Sequence, residues 1–252
     1  RNSRKACVTS TMTALSLTSS LQDDILVVGL AQGPAQRKGG KPTLIIESGD
    51  LALDTKSLEE ILGDMGATGK ADEVIKIPGN TVRLLIFTGL GRASSTYGHE
   101  LLRRAAGAAS RTLSNQKSAT FALPAQNLEG VSAVAQGAAL GAYLFNEFRS
   151  DEVVTSNSSL ASAKIFTPHA AKAEFKDVVT EAAVIAQYTF LTRDLINTPP
   201  SHLNPASFAD RMNAEVKAAG GARAGAHEGG IPALVDPLDP VWRPVRGADR
   251  LR

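Results

Sequence analysis

The 252-residue sequence predicts an α/β fold: a mixed or parallel sheet flanked by helices, then a long helix and the opening of a further helical element. Three observations predict it. Between Asp24 and Pro168 short apolar runs alternate with segments of helical period, the pattern of a sheet covered on both faces. From Ala170 to Ile196 apolar residues recur at spacings of three and four, including Phe175, Val178, Val179, Ala182, Ala186, Phe190 and Leu195, which defines one face of an amphipathic helix. Unbroken, that helix is roughly 40 Å long at about 1.5 Å per residue. Finally, Pro199-Pro200 stops it, because proline lacks an N–H and restricts the residue before it, and Asn204-Pro205 restarts helix with a good N-cap and a good first residue.

Taken in order, residues 1–23 are expected to be a disordered segment. Arg1 to Thr11 shows no period and Met12 is the first methionine, so the natural start is expected at or near Met12; a mass spectrum of the native protein containing Arg1 would contradict this. Leu15 to Leu21 is interrupted by Ser and Thr and is not the continuous apolar core of a signal peptide. Strands are predicted at Ile25–Val28, Leu44–Ile46, Val74–Ile77, Leu84–Phe87, Phe121–Leu123 and Lys164–Phe166. A Gly/Lys-rich loop is predicted from Gln32 to Pro42, and the fourth strand is expected to end at Gly89-Leu90-Gly91. Helices are predicted around Leu58–Met65, from Tyr97 to Leu113 and from Val131 to Phe148. Phe208, Met212, Val216 and Ala219 give the helix after the double proline its apolar stripe. Gly221 to Arg252 has four prolines, five glycines and no period, and is expected to be a disordered tail or the product of a frameshift after about Gly220.

Composition narrows the function classes. An apolar fraction of 43% is enough for a sizeable core. The single cysteine, Cys7, excludes a disulfide framework and argues against a cysteine-based metal site. No apolar run approaches the length of a membrane span. The isoelectric point of 8.7 suggests nucleic acid, but the basic surplus lies at the two ends: Arg1, Arg4 and Lys5 without an acid, and five arginines against four acids after Gly220. Residues 11–220 are slightly acidic in sum, so nucleic acid is not the expected partner.

The junction reads Leu191-Thr-Arg-Asp-Leu-Ile-Asn-Thr-Pro-Pro-Ser-His-Leu-Asn-Pro-Ala-Ser-Phe-Ala-Asp210. It closely resembles the interdomain junction of the leucine aminopeptidase (cytosol aminopeptidase) family, which often reads like ARDLVNTPPN-x-L-x-P-x-x-FA. The segment AVAQGAALGAYLFNEFRS, residues 133–150, resembles a helix of the same family. The resemblance covers roughly Asp24 to Gly220. It implies a macro-like α/β sandwich at 24–168, an interdomain helix at 169–197, and the first helix of a truncated catalytic domain at 198–220, before the aberrant stretch 221–252. It also implies a cytoplasmic, hexameric metallo-aminopeptidase that uses two divalent ions, manganese or zinc, to release amino-terminal residues from peptides.

The family's metal-binding signatures resemble GKGxTFDxGG and NTDAEGR, and neither occurs here; Asn197-Thr198 leads into Pro-Pro. No catalytic, metal-binding or cofactor-binding residue is therefore assigned, and the chain alone is expected to be inactive. Other constellations read as structural. His99-Glu100-Leu101-Leu102-Arg103 has Arg103 where a zinc protease needs its second histidine. His169 and His202 fall in turns, and His227-Glu228 has no partner at ligand spacing. Asp23-Asp24 reads as a polar strand entry rather than a cation site. Gly39-Gly40-Lys41-Pro42 is an incomplete phosphate loop, and Gly89-Leu90-Gly91, with Ser94 in the last glycine position, reads as a strand-to-helix turn. Cys7 has no base near it in sequence. The alternative function is a non-catalytic macro-like module for ligand binding or assembly; a bare truncation product would instead be aggregation-prone through apolar surface exposed on Phe175–Leu195 and Phe208–Val216.

Overall fold

A computed structural model describes residues 12–21, 23–35, 42–49, 51, 55–125, 127–150 and 157–218. The chain divides into two compact units, residues 1–194 and 195–252. In chain order the elements are β1 (Ala14–Thr18), β2 (Ile25–Ala35), β3 (Pro42–Glu47), α1 (Thr55–Asp64), β4 (Val74–Pro78), β5 (Leu84–Arg92), α2 (His99–Arg111), β6 (Ser118–Ala122), α3 (Leu128–Gly141), β7 (Ser162–Phe166), α4 (Ala173–Asn197) and α5 (Pro205–Ala218).

The first unit is built on a mixed seven-stranded sheet, six strands in the order β1-β7-β6-β2-β5-β4 and β3 paired to β2 off that path. β1, β7, β6, β2 and β5 run parallel, and β4 closes one edge antiparallel to β5. β2 is long enough to serve two partners along one side. Leu26–Val28 pairs with Thr120–Ala122 of β6, and Gly29–Gln32 then pairs antiparallel with Leu44–Glu47 of β3. Alternation along β2 sends Ile25, Val27 and Ala31 into one core and Leu26, Val28 and Leu30 into the other. Burial on both faces explains why this strand reads as a continuous apolar run rather than an alternating one.

The larger core is covered by α2, α3 and α4 through Leu102, Ala109, Val134, Ala138, Phe175 and Val179. The smaller is covered by α1 through Leu62. Helices α2 and α3 touch backbone to backbone. A Cβ on Gly137 would stand 2.2 Å from the Arg103 carbonyl oxygen, and one on Gly141 would stand 2.4 Å from that of Gly107. Both α2 and α3 carry runs of buried alanine because only small side chains fit between helices this close. Ser110 Oγ donates to the Ala138 carbonyl across the same contact at 2.6 Å.

Four expectations change. Residues 14–18, placed in a disordered segment by sequence reading, form β1, paired with β7 from Ala14↔Ser162 to Thr18↔Phe166. β2 continues to Ala35 through the start of the expected loop, because β3 and β5 extend its hydrogen bonding. β5 likewise runs through Gly89-Leu90-Gly91 to Arg92 instead of turning there. Its register against β2 shifts between Leu30 and Ala31, and Gly91 takes φ +72°, a bulge that glycine accommodates without strain. Helix α3 ends at Gly141, short of Phe148. Tyr143 then anchors the chain to α4, with its ring edge-on to Phe190 at 5.0 Å and its hydroxyl donating to Asp194 Oδ1 at 2.8 Å.

In the second unit, the Pro199 carbonyl accepts from the His202 and Leu203 amides and closes the turn. Asn204 Oδ1 then accepts from the Ser207 amide, and Ser207 Oγ accepts from the Asn204 amide, both at 3.0 Å. This reciprocal cap, with Pro205 as first residue, starts α5 as its sequence predicts. The expected tail, 221–252, lies outside the described residues.

Candidate functional site

Three polar constellations stand out in the first unit, and packing explains two of them. The first surrounds Asp23, two residues before the start of β2. Its carboxylate accepts from Ser118 Oγ at 2.7 Å, Thr120 Oγ1 at 2.8 Å and Lys164 Nζ at 2.9 Å. Burial alone would raise this carboxyl. The hydrogen bonds from Lys164, Ser118 and Thr120 and the Lys164 charge outweigh it and hold the group below the usual aspartate range. Asp23 thus ties together β2, β6 and β7, and the cation beside it is Lys164.

The second lies at the carboxyl end of β2 and β5. A Cβ on Gly89 would stand 1.7 Å from the Lys70 carbonyl oxygen, so the loop before β4 packs directly on this glycine. The Gly91 amide donates to Gly69 O, and the Gly89 amide to Glu73 O. Both glycine amides are committed to backbone carbonyls, so Gly89-Leu90-Gly91 serves chain packing. Nearby, Tyr97 donates to Glu47 Oε1 at 3.0 Å. Burial pushes the Tyr97 hydroxyl up to about 12; the Ser94 amide opposes it and the Glu47 carboxylate adds to it.

The third constellation is an open cleft of about 480 Å³ on the outer side of the α2–α3 pair. Helix α2 contributes Glu100, Arg103, Arg104, Gly107 and Arg111, a single stripe by helical spacing. Helix α3 adds Gly137, Leu140 and Gly141; Arg193 of α4 and Asp72 complete the wall. Arg103 donates from Nε to Gln136 Oε1 at 3.1 Å and pairs with Glu100. Arg104 pairs with Asp72. Arg193 donates to the Leu140 carbonyl at 3.1 Å and lies over the Tyr143 ring, 5.2 Å from its centroid. Sequence reading missed this site because Arg193 is far along the chain from α2. The α2 stripe was the available signal, and His99-Glu100…Arg103 was read only against a zinc motif.

The remaining candidates are scattered. His99 is exposed at the first residue of α2, and Glu100 pairs with Arg103. His169 sits in the turn before α4, 5.2 Å from the Phe175 ring, and His202 is exposed in the turn before α5 with Nδ1 3.0 Å from Ser201 Oγ. Cys7, Gly39, Gly40, Lys41, His227 and Glu228 lie outside the described residues. Among the described residues no helix is long and apolar enough to cross a membrane.

The architecture is that of known aminopeptidase structures. The chain is similar to a mutant of tomato leucine aminopeptidase, with a TM-score of 0.59 over 84% of this chain and 43% of that one; at 19% identity this is a likeness of fold. It is similar to the bottromycin maturation enzyme BotP with a TM-score of 0.57 at 26% identity, over 79% of this chain and 38% of that one. In sequence it is 36% identical to a probable cytosol aminopeptidase of Streptomyces avermitilis over 82% of this chain and 43% of the relative. A second relative of that description, from Micrococcus luteus, is 38% identical over 80% and 40%. Residues 27–152 match the N-terminal domain of the cytosol aminopeptidase family, and the chain belongs to that family. It spans less than half the length of these relatives.

Proposed function

We propose that this chain is the amino-terminal portion of a cytoplasmic metallo-aminopeptidase that releases amino-terminal residues from peptides, and that it is catalytically silent by itself. The observation that carries the reading is the family match over residues 27–152. The aminopeptidase relatives extend that likeness over 82% of the chain. In the complete enzyme two divalent ions, manganese or zinc, would polarise the scissile carbonyl and supply hydroxide near neutral pH. One related structure is BotP in complex with Mn. The donors here do not fit such a centre. Among the described residues no three His, Cys, Asp or Glu side chains are grouped to hold a metal ion, and neither metal signature is in the sequence.

On this reading residues 24–168 are the amino-terminal domain, 169–197 the interdomain helix and 198–220 the opening of a catalytic domain, in an enzyme that assembles as a hexamer. The test is hydrolysis of a leucyl anilide by the pure chain with added manganese. No release above the buffer rate is expected; chelator-sensitive turnover that co-purifies with the chain would overturn the silent reading. A second reading, an assembly module that joins further copies of the chain, is favoured by Val184, Ile185 and Tyr188, 41–46% exposed on one side of α4. Sedimentation of the pure chain separates the two: concentration-dependent self-association supports assembly, and a monomer at all concentrations removes it.

A further inference from the structure

We propose that the arginine-lined cleft between α2, α3 and α4 binds a small polyvalent phosphate, recognised through its phosphate groups alone. Four guanidiniums, from Arg103, Arg104, Arg111 and Arg193, line it against two carboxylates, Asp72 and Glu100, leaving a surplus of positive charge in one concavity. Glu100 and Asp72 offset two of these charges, and the forked N–H groups of the guanidiniums match phosphate oxygens in pairs.

Three of the four are already positioned. Gln136 and Glu100 hold Arg103, Asp72 holds Arg104, and the Leu140 carbonyl with the Tyr143 ring holds Arg193. Each of these anchors engages part of a guanidinium and leaves other N–H groups to donate. The Arg111 side chain makes no hydrogen bond or ion pair to another described residue. Its Nη1 lies 3.7 Å from where a Cβ on Gly107 would stand, so the guanidinium folds back over a bare stretch of α2. Gly107, Gly137 and Gly141 bring α2 and α3 close enough for both helices to line the one cleft.

Size and lining define the ligand class. The volume of about 480 Å³ falls within the small-molecule range. No aromatic ring is among the lining residues to stack a nucleobase. The recognised chemistry is therefore a pyrophosphate or polyphosphate unit, whether free or as the end of a nucleotide. The inference does not depend on the catalytic reading.

The experiment is calorimetric titration of the full 252-residue chain with inorganic pyrophosphate, with ADP as a second arm, at constant ionic strength. Variants are Arg111→Gln and Arg104→Gln in the cleft, and Arg83→Gln as control, since Arg83 bonds Gln116 elsewhere. Arg104 and Arg111 are exposed, so both cleft variants are expected to keep the wild-type far-UV spectrum. The expected result is saturable one-to-one binding, weakened about tenfold by each cleft variant and unchanged in the control, with ADP no tighter than pyrophosphate. Absent binding overturns the proposal, as does binding that all three variants weaken equally or none weakens. ADP binding far tighter than pyrophosphate overturns recognition by phosphate alone.

Discussion

Helices α3 and α5 are both 14 residues long, and each starts with an asparagine N-cap. They differ in what holds them. α3 buries Val131, Ala133, Val134, Ala135, Ala138 and Ala139 between α2 and the sheet, whereas α5 buries no residue. Phe208, the first residue of its apolar stripe, is 39% exposed. Capping and proline placement fix where a helix starts, but helices of this length are marginal in water without a packed face. The comparison separates two ways a sequence specifies helix: by local chemistry, complete in α5, and by tertiary burial, on which α3 depends.

The largest expected effect lies where distant segments are tied together. Asp23→Ala removes the shared acceptor of Ser118, Thr120 and Lys164, and should destabilise the first unit by on the order of 3 kcal/mol in urea unfolding. Because the folded Asp23 carboxyl is held below its ordinary value, its contribution is fully present above the unfolded pKa and is lost as pH falls through the folded one. The wild-type advantage over Asp23→Asn should therefore shrink on acidification below about pH 4.

Next comes the helix contact. Gly137→Ala puts a Cβ against the Arg103 carbonyl and should cost about 1–3 kcal/mol, despite alanine's better helix propensity. Met212→Ala in α5 should change global stability by less than about 0.5 kcal/mol. A comparable loss at both positions would erase the distinction between the helices. Asn204→Ala, by contrast, should cost about 1 kcal/mol of α5 helix stability through the lost cap, read as reduced helical ellipticity with the first unit's unfolding midpoint unchanged.

The effect at Tyr97 is confined to alkaline pH. With its hydroxyl pushed up to about 12, the stabilisation is present below the unfolded tyrosine value near 10 and is lost as pH climbs between the two. Wild type should thus lose ground to Tyr97→Phe over that interval, measured by urea unfolding at successive alkaline pH values.

The apolar runs made the central strands legible, because a strand buried on both faces must be apolar at every position. β1 was not legible: Ala14–Thr18 carries Leu15 and Leu17 only half-buried at a sheet edge, between polar residues that look like loop. The extension of β5 through Gly89-Leu90-Gly91 was hidden because two glycines signal a turn, yet one is a bulge and the other admits the Lys70 carbonyl. The end of α3 depended on Tyr143 reaching Phe190 and Asp194, contacts across a long stretch of sequence. The elbow and the start of α5 were read correctly because proline and asparagine act locally. The arginine cleft gathers Arg193 with residues of α2, and no local pattern announces that meeting.

The most direct test of the distinction between tertiary and local support is amide hydrogen exchange on the full chain. The account predicts slow exchange through α3 and the central strands, governed by global unfolding of the first unit. It predicts exchange in α5 orders of magnitude faster, close to that of an isolated capped helix. Equal protection of α3 and α5 would contradict it.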